Sequence, residues 1–285
     1  MSNPVFNRID QESRRGYAGF GGNRSTNAYG GVQQHGGPAP IRVEQLDAMY
    51  NSPAAGPVQT GRLTLDDVYI KSALLFGLML VTAGAVWAAA MTLGLGIASL
   101  AMIVGAVTSL VLGLVIAFKK SISPALIMAF AVFEGLMVGG ISTVFSQMYE
   151  GIVTTAIVAT LSVFVAMFLG WKTGIVKVTA RSRRMVSMAI FGYMIFALVN
   201  FGFAMFGMNN GWGIFGQGSS LGILVSLFAV GLASYTLAMD FDSIQTAVAS
   251  GAPEKYSWLL AHGLLVTVVW LYMEILRLLA HFQNR

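Results

Sequence analysis

Four carboxylic acids stand in stretches of sequence that are otherwise apolar. Glu134 lies in AVFEGLMVGG, Asp240 and Asp242 in LAMDFDSIQ, and Glu274 in VVWLYMEILRLL. A charge at the centre of a bilayer costs at least ~2.5–3.5 kcal/mol on insertion scales, so an acid in such a place is a functional candidate by default. The chemistry open to it is proton binding and release, or transient coordination of a hard cation through oxygen. Asp240 and Asp242 are two residues apart, about 200° round a helix, so they face different directions. One can face a bundle and the other water or headgroups, and for Asp242 a solvated helix end is the plainer reading. Glu274 has Arg277 at i+3, a spacing that allows an intrahelical ion pair. The same acid can instead be a buried titrating group. Glu134 has no Lys or Arg within two turns of its own helix, so it is protonated, faces a wet cavity or meets a partner on another helix. His262 reads first as a hydrogen-bonded packing residue and second as a proton relay.

Much other chemistry is missing. The chain has no Cys, which excludes disulfides, thiolate metal sites and Cys nucleophiles. Three His are too few for a multi-His metal site. There is no GxxxxGK[ST], HExxH or GxSxG, so a P-loop, a zincin and a nucleophile elbow all drop out. Ser and Thr are common, but no Ser/His/Asp set stands out. No tightly bound cofactor is expected.

The elements that must position these acids are apolar. Of 285 residues 56% are hydrophobic and 10% charged, against roughly 25% charged in a soluble domain. Mean hydropathy is +0.71. Seven apolar runs are long enough to cross a ~30 Å core, each needing about 20 residues. They fall near 72–93, 97–118, 123–145, 152–171, 185–208, 220–241 and 256–282. All must be helices, because unpaired backbone amides cannot face lipid. Thr64 with Asp67 three residues on predicts a capping box at the first helix start. Gly135 and Gly139 form a GxxxG pair, a signal for close helix packing; Gly105, Gly113, Gly192 and Gly231 also permit close contact. The predicted fold is therefore an all-α membrane protein, a seven-helix transmembrane bundle over residues 63–285.

Charge sets the orientation. Threading seven spans puts Lys71, Lys119, Lys120, Lys172, Lys177, Arg181, Arg183, Arg184 and Lys255 on one side, against Arg277 and Arg285 on the other. Positive residues stay inside, so the N-terminus is expected in the cytoplasm and the chain in the inner or plasma membrane. The run 172–184 reads as a positive-inside loop touching anionic lipid. Residues 1–62 hold five of the seven prolines and the Arg/Gly/aromatic stretch RRGYAGFGGNR. This composition predicts a disordered tail. The basic excess beside long apolar runs points to the bilayer, with a membrane-protein partner open, and not to nucleic acid.

The segment MDFDSI at 239–244, followed by LYMEIL at 271–276, resembles the Bax inhibitor-1 family in its bacterial-type form. Seven spans, a cytoplasmic N-terminus and the EGL pattern at 134–136 agree. The resemblance covers roughly residues 69–282 and leaves the tail outside. It implies a bundle that leaks cations, notably Ca²⁺, with pH sensitivity. It also implies that two acids on spans six and seven pair near the pore and act as a latch. By motif matching these are Asp240 and Glu274, which would also touch Ca²⁺ transiently. Two carboxyls in contact share a proton and titrate as a unit, so pH would shift a two-state packing. Glu134, Asp242, Arg277 and His262 are candidates for pathway or coupled residues. The alternative is a non-conducting regulator of membrane proteolysis or of stress and cell-death survival, acting through protein partners. A membrane hydrolase using the acids is the third possibility, and no catalytic constellation supports it.

Overall fold

A computed structural model of the chain describes residues 61–208, 214 and 218–283. The tail expected over residues 1–62 lies, but for its last two residues, outside the described residues. Seven helices follow one another: α1 (Leu65–Leu93), α2 (Leu95–Phe118), α3 (Pro124–Met148), α4 (Ile152–Lys172), α5 (Ala180–Met205), α6 (Ser220–Ala249) and α7 (Tyr256–Gln283). Each is long and apolar enough to cross a membrane. The all-helical bundle expected from hydropathy is the fold. No strand occurs among the described residues, as lipid requires of a chain that does not close into a barrel.

Helix ends follow local chemistry. Thr64 caps α1 by accepting from the Asp67 amide, and the Asp67 carboxylate accepts from the Thr64 amide, so the predicted capping box is present. Three helices reach further than their apolar runs. α1 starts at Leu65 and α5 at Ala180, and α6 continues to Ala249. Polar residues close to a membrane surface can stay helical because water satisfies the terminal carbonyls and amides. One consequence matters for the site: Asp240 and Asp242 lie inside α6, two turns or more before its end, and not at a helix terminus.

Packing is layered around α7 and α3. α7 is buried along most of its length, against α6, α1, α4 and α3, while α3 lies against α2 and α1. The GxxxG pair acts as predicted. A Cβ on Gly135 would stand 2.5 Å from the Met79 carbonyl oxygen of α1, and one on Gly139 would stand 2.7 Å from that of Ala83. The next residue, Gly140, does the same toward α2, where a Cβ would meet the Ala98 carbonyl oxygen at 2.5 Å. Three glycines thus let two helices approach α3 at backbone distance. By contrast Gly192 and Gly231, also expected to serve contacts, have open space where a Cβ would be.

The hydroxyls scattered through the spans are mostly spent on their own helices. Thr82, Thr143, Thr160, Ser234 and Thr236 each donate to the carbonyl four residues back at 2.6–2.8 Å. This is the usual way for a hydroxyl to sit in an apolar helix without an unmet bond. Ser142 also meets the Tyr272 hydroxyl at 2.7 Å and so joins α3 to α7 in the core. At the face expected to be cytoplasmic, the start of α1 is fastened to the α6–α7 turn. The Leu63 amide donates to the Ala252 carbonyl at 2.8 Å, and Lys71 Nζ donates to Glu254 at 3.0 Å and to Ser257 Oγ at 2.7 Å.

Candidate functional site

α5 is the outlier of the bundle. None of its residues is buried, and none of its side chains joins either hydrophobic cluster. Its neighbour is chiefly α6. What fastens it is polar. At its basic end, Arg183 Nη2 donates to Asp242 Oδ2 at 2.6 Å and Arg183 Nη1 donates to Ser243 Oγ at 3.0 Å. One turn away the Tyr235 hydroxyl of α6 meets Ser182 Oγ at 2.7 Å. Near its middle, the Tyr193 hydroxyl donates to Glu274 Oε1 at 2.5 Å and accepts from Arg277 Nη1 at 2.9 Å. The Tyr193 ring stacks on Trp270, centroids 5.9 Å apart.

Glu274 is the focus of the second of these contacts. It is 4% exposed, yet three groups serve it. Besides Tyr193, Arg277 Nη1 pairs with Oε2 at 3.3 Å, and Trp270 Nε1 donates to Oε1 at 3.3 Å. The ion pair is the i,i+3 contact that the spacing allowed. The tyrosine and the tryptophan extend it into a network that reaches α5. A carboxylate so served satisfies most of its acceptor sites away from water, the condition on which a buried charge is tolerated.

Asp242 and Asp240 do face different ways, as their spacing required. Asp242 points to α5 and takes Arg183. Asp240 points into the bundle toward Thr267 of α7, with Arg183 as the cation acting on it. Its Oδ2 is shut off from solvent and has no hydrogen-bond partner. The Thr267 hydroxyl is already committed to the Gly263 carbonyl at 3.1 Å. An unserved carboxylate oxygen beside a helix seam is an open acceptor for a proton or a passing cation.

No hydrogen bond or ion pair joins Asp240 to Glu274. Asp240 lies beside Thr267, and Glu274 is seven residues further along α7, about 10 Å at 1.5 Å per residue. Glu134 is buried at 7% exposure, and no cation pairs with it; Ser109 of α2 stands beside its carboxyl. Of the alternatives that its isolation left open, the group found beside it is a hydroxyl on another helix. His262 packs edge-on against Phe130, centroids 4.4 Å apart, and its buried Nδ1 has no hydrogen-bond partner. Among the described residues no three His, Asp or Glu side chains gather closely enough to hold a metal ion. Sequence reasoning missed Arg183 and Tyr193. Arg183 stood among the basic residues of the positive-inside count, and Tyr193 among lipid-facing apolar residues. Nothing local marks either as a partner for an acid 59 or 81 residues away.

Among curated proteins and solved structures none matches this chain. A family model described as Bax inhibitor 1 like matches residues 3–284. The match takes in the N-terminal tail, which the motif resemblance had left outside. With the match running almost end to end over seven apolar helices, this multi-pass membrane protein belongs to the Bax inhibitor 1 like family.

Proposed function

We propose that the protein is a pH-gated cation leak pathway of the inner or plasma membrane, with Ca²⁺ as a permeant ion and α5 as the moving part. One observation supports this reading above the rest. α5 has no buried residue, and two of its links to the bundle run through carboxylates, Asp242 and Glu274. A helix held by packing is indifferent to protonation, whereas one held by ionised acids is not. Neutralising Asp242 and Glu274 strips Arg183 and Arg277 of their counter-charges, and α5 loosens. Asp240, which Arg183 also influences, is then uncovered to receive a cation through its free oxygen. In this reading Asp240 and Glu274 act in sequence through α5 and not by pairing with each other. Flux therefore depends on pH.

Ca²⁺ flux into liposomes holding the purified protein tests this across a pH series. Glu274→Gln imitates the protonated acid, so flux at neutral pH rises and the pH profile flattens. Asp240→Asn removes the carboxylate that would receive the cation and lowers flux at alkaline pH. If folded wild-type protein passes no more Ca²⁺ than empty liposomes, the channel reading is lost and a non-conducting regulator takes its place.

A further inference from the structure

A second feature is independent of the acids. α1 and α4 both lean on α7 and α6, and between them a half-open cleft of about 720 Å³ faces the lipid. Its volume falls within the range of sites for small amphiphiles, about 300–1,000 Å³. One wall is aromatic and rigid: Phe164, Phe168 and Trp171 of α4 all pack against Phe241 of α6, with centroids 5.3–5.9 Å apart. Further along α1 a second, mostly apolar cleft of about 380 Å³ shares Phe76 with the first and is lined as far as Trp87. The two make one lateral groove long enough for an extended hydrocarbon chain.

The groove is polar at only one end. There Lys172, Gln245 and Ser72 line it. Lys172 is the last residue of α4, with its ammonium drawn over the Phe168 ring at 5.9 Å, and among the described residues no carboxylate pairs with it. Ser72 is 7% exposed, and its buried Oγ has no hydrogen-bond partner. An ammonium at the rim, an amide beside it and an unmet hydroxyl deeper in form a set of donors with no acceptor among the described residues. The ligand that completes this set carries an anion at the surface, ester oxygens below it and a hydrocarbon chain below those.

We infer that this groove is a binding site for one phospholipid with an anionic headgroup, drawn from the leaflet on the basic face. The phosphate lies at Lys172, with Trp171 at headgroup depth, where tryptophan prefers to sit. The acyl chain runs along the aromatic wall toward Phe76. The assignment does not depend on ion conduction. The basic residues of that face raise the local concentration of acidic lipid, and Lys172 selects it.

Native mass spectrometry of the full-length protein in detergent, titrated with phosphatidylglycerol and with phosphatidylcholine of the same chains, tests the assignment. One phosphatidylglycerol per chain is retained in preference to phosphatidylcholine. Lys172→Gln weakens its retention about tenfold, as for loss of one hydrogen bond to a charged group, while Lys177→Gln leaves it unchanged. Ser72→Phe, which fills the groove, weakens both lipids. Should that variant fail to fold, brominated lipids in vesicles replace it: dibrominated phosphatidylglycerol quenches tryptophan emission more than its choline counterpart, and Trp171→Phe abolishes the difference. Equal retention of the two lipids, or equal effects of Lys172→Gln and Lys177→Gln, overturns the assignment.

Discussion

Tyr193 is the residue on which the mid-membrane contact turns. Its hydroxyl lies between a carboxylate and a guanidinium, donating to Glu274 and accepting from Arg277. Tyr193→Phe keeps the ring stacked on Trp270 but leaves Glu274 one donor short. A buried acceptor that loses its partner costs about 1–3 kcal/mol, and polar contacts in membranes average nearer 0.6. A loss of about 1 kcal/mol in thermal unfolding in detergent is expected for Tyr193→Phe. Tyr193→Leu also removes the stacking and loses about a further 0.5–1.5 kcal/mol. If Tyr193→Phe unfolds at the wild-type temperature, the hydroxyl contributes nothing to holding α5. Asp240 belongs to the same scale but to a different category. Its neighbours leave one oxygen unserved, which is a poor arrangement for stability and a useful one for exchange of protons or cations.

At the scale of elements, two kinds of helix contact share the bundle. α3 meets α1 and α2 backbone to backbone across Gly135, Gly139 and Gly140. Such contacts rest on shape and respond to volume. α5 meets α6 and α7 through side-chain ion pairs, hydroxyl hydrogen bonds and one ring stack. Gly139→Val pushes a branched side chain into the Ala83 carbonyl, and overpacking of this kind costs about 1–3 kcal/mol. Gly231 also lies in a helix, yet a Cβ there meets nothing within 4 Å. Gly139→Val is therefore expected to lower the unfolding temperature by several degrees while Gly231→Val does not. Parallel melting curves check this, and equal melting of the two variants would contradict the packing described for α3.

For the whole molecule the question is which side each end faces. Lys119 and Lys120, Lys172 to Arg184 and Lys255 all gather at one end of the bundle, with the start of α1 fastened to the α6–α7 turn there. The absence of cysteine makes orientation easy to read. Ser121, in the α2–α3 turn, and Glu150, in the α3–α4 turn, are exposed at opposite ends. In cells, a membrane-impermeant maleimide added outside is expected to label Glu150→Cys and to leave Ser121→Cys untouched until the membrane is opened. Labelling in the reverse order would invert the topology, and labelling of both from outside would break the seven-span threading.

Composition and local spacing determined what depends on one segment at a time. Seven spans followed from runs of about 20 apolar residues. The Thr64 cap and the Glu274–Arg277 pair followed from three-residue spacings, and the Gly135–Gly139 contact from a four-residue one. The end-to-end order of the spans fixed the basic face. Tertiary structure alone decided which helix faces meet. It put Arg183 on Asp242 and Tyr193 on Glu274, gave Asp240 the company of Thr267, left α5 without an apolar seat and opened the groove between α1 and α4. The physical reason lies in the solvent. In water an apolar stripe on a helix points to the core. In lipid every face is apolar, so hydrophobicity carries no direction, and helices sort by shape and by the few polar groups that find each other. Motif matching could therefore single out acids without saying what each one touches. Chain arithmetic, with Asp240 about ten residues before the α6–α7 turn and Glu274 about twenty after it, already put them at different depths, roughly 15 and 30 Å from that turn. The packing kept them apart, and of the two only Glu274 is hydrogen-bonded to α5.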